Sequence, residues 1–146
     1  QSQRFLIVCL RSHQLHFRID GVSFEIKSMC SHHHQPVTGA VWIGLLPSTK
    51  VIGLSKYARL AQWYARRGTL QEELTKQIAD AIMHHTGSKD VGVVVCAQHG
   101  CCTNRGIMTS DSSTWTSVME GQFYNPSVKQ EFLGLIQGNM SGFKCL

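Results

Sequence analysis

Two short stretches carry most of the chemistry available to this chain: Cys30-Ser31-His32-His33-His34 and His99-Gly100-Cys101-Cys102. Thiolates and imidazoles are common zinc donors. Three protein ligands with a fourth tetrahedral position open is the catalytic arrangement. Cys30, His33 and Cys101 would supply such a set. Cys30 and His33 are three apart, so on a straight strand they face opposite ways. A turn or bulge ahead of Pro36 would bring them together. In the second stretch, strand spacing puts His99 and Cys101 on one face and turns Cys102 away. On spacing alone other readings stay open: a structural site closed by Cys102 or His34, a Cys101–Cys102 redox pair, or a solvated histidine loop. Cys9 and Cys96, in apolar surroundings, read as core residues.

These stretches need elements to hold them. Arg4 to about Met29 leans towards β structure, with a turn expected at Asp20-Gly21 and alternation through Val22, Phe24 and Ile26. Val37 to Leu46 reads as a mostly apolar strand closed by Pro47. A helix is expected after Gly53, with Tyr57, Leu60, Ala61 and Tyr64 on one face and Lys56, Arg59, Arg66 and Arg67 as its cations. Gly68 ends it. Thr69 and Glu72 have the spacing of a capping box for a second helix, which presents Leu74, Ile78, Ala81 and Ile82 and ends near Thr86-Gly87. Asp90–Ala97 and Ser112–Phe123 are strand candidates. Pro126-Ser127 then opens a last helix with Val128, Phe132, Leu135 and Ile136 as its stripe, followed by a loose tail from Gly138. The expected order is two strands, two helices, two strands and a helix, an α+β chain in one domain over 1–146.

Composition removes several classes. The 146 residues are 42% hydrophobic and 16% charged, which excludes a disordered or fibrous chain. The apolar run Phe5–Leu10 is far too short for a membrane span and does not look like a secretory signal. With no sign of secretion, the six cysteines suit metal chemistry and a cytoplasmic setting better than a disulfide framework. The net charge of +5 calls for an anionic partner. The 14 Lys and Arg are spread out, where a nucleic-acid arm would be more concentrated, and a nucleotide triphosphate fits equally well; composition does not choose between them, and no nucleic acid is expected on the whole sequence.

Read in order, MCSHHHQP (29–36), GLSKYARL (53–60), LQEELTKQI (70–78), VVVCAQHGCCTNRGI (93–107) and SSTWTS (112–117) closely resemble the GTP cyclohydrolase I family. The likeness runs over roughly residues 24–136. It implies the tunnelling fold, whose subunits assemble into multi-subunit β-barrels, commonly two pentamers face to face. It also implies Zn2+ held by Cys30, His33 and Cys101, with a zinc-bound water attacking C8 of GTP. The products are 7,8-dihydroneopterin triphosphate and formate. By the same resemblance His99 is the general acid and His32 a second proton-transfer group, work to which an imidazole is suited. Glu72 with Gln71 would recognise guanine, in competition with the capping-box role of Glu72. Ser55, Lys56, Arg59 and Arg105 would contact ribose and triphosphate. The enzyme would be a homo-oligomer, a decamer by this likeness, supplying pterin, folate or 7-deazaguanine synthesis.

The chain also departs from that family. Ser31 stands where Glu is usual, removing a charge beside the metal, and His34 stands where a bulky apolar residue is usual. About thirty residues precede Cys30, where many cellular relatives have a longer helical region, so a compact or divergent form is expected. Two further function classes follow. One keeps the fold but takes another purine nucleotide or stops at a ring-opened product. The other is a nucleotide-binding assembly module without turnover, for which Ser31 is the best argument. Retention of both the ligands and the acid argues against the second.

Overall fold

A five-stranded antiparallel sheet organises the chain, with strand order following the sequence from β1 to β5. The computed structural model describes residues 4–11, 16–29, 36–46, 53–99 and 113–138. The strands are β1 (Arg4–Arg11), β2 (His16–Met29), β3 (Pro36–Leu45), β4 (Val91–His99) and β5 (Thr114–Glu120). Helices α1 (Leu54–Ala65) and α2 (Gln71–Thr86) lie between β3 and β4. A 3-10 turn (Gly121–Tyr124) and helix α3 (Pro126–Gly138) follow β5. No helix among the described residues is long and apolar enough to cross a membrane.

β3 and β4 are almost continuously apolar because both faces of the sheet are covered. On one face Ile26, Val41, Ile43, Val93 and Val95 pack against Tyr57, Ala61, Leu74, Ile78 and Ile82 of the two long helices. On the other, Ala40, Trp42, Val94 and Cys96 meet Phe123, Phe132 and Ile136. Along β3 and β4 the alternation of side chains assigns odd positions to the first layer and, up to Cys96, even positions to the second. Gly44 and Gly92 face each other across β3 and β4. A Cβ at Gly92 would lie 2.8 Å from the Phe123 ring and 2.9 Å from that of Phe132, so the paired glycines make the hollow that these rings fill. The two rings meet edge to face, centroids 5.3 Å apart.

The expected α2 stripe is buried, and the helix ends at Thr86 as anticipated, with Gly87 left-handed (φ 70°) and its N–H bonded to Met83 O. Other expectations are corrected. Asp20-Gly21 is not a turn: Asp20 pairs with Ile7 and Gly21 with Leu6 inside the β1–β2 ladder, and the segment divides between Arg11 and His16 instead. Strand pairing overrides the local turn preference of Asp-Gly. The strand expected over 112–123 ends at Glu120, because Gly121 (φ 62°) turns the chain and drops Phe123 into the core. Cys96 is buried as expected, and it is disulfide-bonded.

Candidate active site

One end of the sheet gathers the residues of interest. Ser28 pairs with Val37, and Val37 pairs with His99, so β2, β3 and β4 share one cross-strand row. β2 and β4 both run antiparallel to β3 and leave this row in the same direction. Cys30 is two residues beyond Ser28, Cys101 is two beyond His99, and His33 is four before Val37. In sequence, all three ligand candidates are therefore two to four residues from members of this row. Two thiols and an imidazole are a donor set that suits zinc in number and kind. Cys30, His32, His33, Cys101 and Arg105 themselves lie outside the described residues, as do Ser31, His34 and Cys102. His99 is the last residue of β4.

The start of α2 comes to the same end. Two rows back, Ile26, Gly39, Ala97 and Thr114 align across four strands. Gln71, 5% exposed, reaches this row: its Nε2 donates to Thr114 O at 2.8 Å, Thr116 Oγ1 at 3.1 Å and Val95 O at 3.3 Å. The amide expected to face a base is thus turned into the protein. Glu72, the next residue, is exposed at the helix start. A small cleft walled by Ile26, Leu74, Val95 and Ala97, with Ser28, Thr69 and Gln71 at its rim, opens beside it.

The capping box is absent. The residue preceding the helix in extended conformation is Leu70, which offers no side-chain cap, and the Thr69 hydroxyl donates to Leu70 O at 3.2 Å. Glu72 is therefore free of that competing duty. Glu72 and Glu73 in the first turn still complement the helix dipole.

Ser55, Lys56 and Arg59 are exposed in the first half of α1, whose first turn holds no acidic residue. Lys56 and Arg59, three apart, share a helix face near the N-terminal end of the helix, where the dipole also favours an anion. They are not brought to Gln71 within this subunit. The far end of α1 is the one tied to the site, through the Ser28 hydroxyl on Ala65 O at 2.6 Å. Lys56 lies nine residues back from there, roughly 13 Å along the helix axis. Arg66 and Arg67 are exposed, and the Arg67 guanidinium stacks 3.8 Å over Trp63.

Thr75, Thr114 and Thr116 were given no role by spacing, although they lie in or between the motifs singled out above. Their involvement comes from contacts across more than forty residues of sequence, which no local pattern carries.

Comparison with known proteins agrees with these motifs. The family model for GTP cyclohydrolase I matches residues 18–137. The protein named GTP cyclohydrolase 1 from Pseudoalteromonas translucida is 49% identical over 115 residues, covering 78% of this chain and 62% of that protein. The one from Campylobacter lari is 45% identical over 113 residues, 77% of this chain and 60% of the relative. The one from Saccharomyces cerevisiae is 51% identical over 112 residues, 77% of this chain but 46% of the relative. The chain thus spans about three-fifths of the length of these bacterial relatives and under half of the yeast one. By the extent of the family match, this chain belongs to the GTP cyclohydrolase I family.

Proposed function

We propose that the protein hydrolyses GTP to 7,8-dihydroneopterin triphosphate and formate in a zinc-dependent reaction. The observation that carries this reading is the shared row of Ser28, Val37 and His99, from which the chain runs directly to both thiols and the imidazole of the ligand set. Cys30, His33 and Cys101 would hold the metal, which when bound supplies a Lewis acid able to bring the pKa of water towards ~7.

The protein's own residues do the rest. Glu72 accepts N1–H and the exocyclic amine of guanine, a donor pair that adenine does not offer. His99, at the end of β4, delivers a proton to the imidazole ring nitrogen as C8 is attacked, and His32 serves later proton transfers. C8 leaves as formate after both of its bonds to nitrogen are cleaved, and the freed amine re-closes a larger ring with the ribose carbons. Ser55, Lys56, Arg59 and Arg105 hold the triphosphate. The sheet edges β1 and β5 are the surfaces through which copies would join into a ring, two pentamers making a decamer.

The test is incubation with GTP while pterin fluorescence and formate are followed, alongside zinc analysis. The expected result is both products and about one zinc per subunit, with metal and turnover lost in Cys101→Ala. A zinc-loaded chain that forms neither product would overturn the reading. Full zinc occupancy in Cys101→Ala would overturn the ligand set.

A further inference from the structure

The first turn of α2 lacks a side-chain cap, yet it is fastened firmly by other means. Of the three oxygens around Gln71 Nε2, two are backbone carbonyls, which only accept, so the amide nitrogen must face them. Thr75 donates its hydroxyl hydrogen to Gln71 O at 2.8 Å. It has no second hydrogen to give. At the 2.7 Å contact between Thr75 and Thr116 the donor is therefore Thr116. Thr116 in turn accepts from Gln71 Nε2 at 3.1 Å. The bonds close a one-way ring: Gln71 amide to Thr116, Thr116 to Thr75, Thr75 to the Gln71 carbonyl.

Thr75 is 1% exposed and Gln71 5%, so the ring runs through low dielectric, where losing one member strands its neighbours. It also sits between two parts of the site. Glu72 is the next residue along α2, and Thr114, bonded to the same amide, begins β5 directly after the segment that contains Cys101 and Arg105.

We infer that Thr116 and Thr75, acting with Gln71, are positioning residues for guanine recognition: their ring fixes the start of α2 so that the Glu72 carboxylate stands where the base binds. This deepens the functional reading above and rests on it. Gln71 accordingly acts through Glu72 rather than on the base.

The test compares Thr116→Val, which keeps the shape and removes the hydroxyl, with Thr116→Ser, which keeps the hydroxyl. Each full-length variant is assayed with GTP and with inosine triphosphate, which lacks the exocyclic amine, and its zinc content is measured. Thr116→Val is expected to raise the KM for GTP about tenfold, the scale of one stranded hydrogen bond, with kcat and zinc little changed. Its preference for GTP over inosine triphosphate should fall by a similar factor, and Thr116→Ser should restore both. Loss of stability alone would leave that preference untouched. A wild-type KM and preference in Thr116→Val overturns the inference whatever its melting temperature. A wild-type protein that neither binds nor turns over GTP overturns the functional reading first, and this one with it.

Discussion

Replacing Glu72 by Gln separates the two duties that the sequence allows this residue. Had Thr69 and Glu72 formed a capping box, the change would loosen the helix start and leave nucleotide affinity alone. The fold removes that duty, because Leu70 precedes the helix and the Thr69 hydroxyl bonds elsewhere. The side chain of Glu72 is exposed, so its contribution to stability reduces to a charge near the positive end of the α2 dipole, about 0.3–1 kcal/mol. For a chain of this size that is a melting shift of at most about 4 °C. Binding is affected more strongly. A carboxylate accepts both guanine donors, whereas the amide of Gln accepts one and confronts the other with its own N–H. Loss of one charge-assisted bond is worth about 1.5–3 kcal/mol, or roughly a 10- to 150-fold fall in kcat/KM for GTP. Thr69→Ala is the control: it should stay within about 0.5 kcal/mol of wild type, where loss of a true cap costs about 1 kcal/mol. The assays are thermal melting and steady-state kinetics on the purified proteins. An unchanged kcat/KM in Glu72→Gln, with a clear loss of stability in both variants, would refute the reasoning.

Two other predictions follow from the fold. Gly92→Ala should cost about 1–3 kcal/mol, because the new methyl meets rigid Phe123 and Phe132 ring atoms at 2.8–2.9 Å. Gly134→Ala in α3, with nothing within 4 Å of the added carbon, should instead gain up to about 1 kcal/mol; denaturant titration checks both, and the same sign for the pair would contradict the packing. Light scattering on the purified protein should report a large homo-oligomer of decamer size, and a stable, fully active monomer would contradict the assembly proposed here.

The parts of the fold legible in the sequence are those where burial alone decides. β3 and β4 are buried on both faces, so their long Val and Ile runs are readable without knowing what covers them. α2 shows its face through Leu74, Ile78 and Ala81 at helical spacing. What misled was local chemistry overruled by distant partners. Asp20-Gly21 has the composition of a turn but sits mid-ladder, where pairing with Ile7 and Leu6 outweighs propensity. Thr69 and Glu72 have the spacing of a capping box but not the backbone, because the helix begins one residue later than such a box requires. The Gln71 ring joins α2 to β5 across more than forty residues, beyond the reach of any motif.

That ring and the placement of the cations bear on one another. Helix α1 is about 18 Å long and is tied to the site at its C-terminal end, where Ala65 O takes the Ser28 hydroxyl. Lys56 and Arg59 therefore carry their charge in the opposite half of the helix, with no acidic neighbour in the first turn to neutralise it. A cationic turn placed in this way would be poorly used if it served only its own subunit, since the end of the helix nearest the proposed base-binding residue lies roughly 13 Å away. The sheet leaves β1 and β5 as its edges. In the proposed assembly a shared site would need the α1 start of one subunit to meet the α2 start of another. Arg105, close in sequence to Cys101, would hold the phosphates from the base-binding subunit. On that reading Glu72 and Lys56 belong to opposite halves of a shared site. The positioning ring under Glu72 then has a clear purpose, because a carboxylate that must meet a nucleotide held partly by another chain has to be fixed by its own.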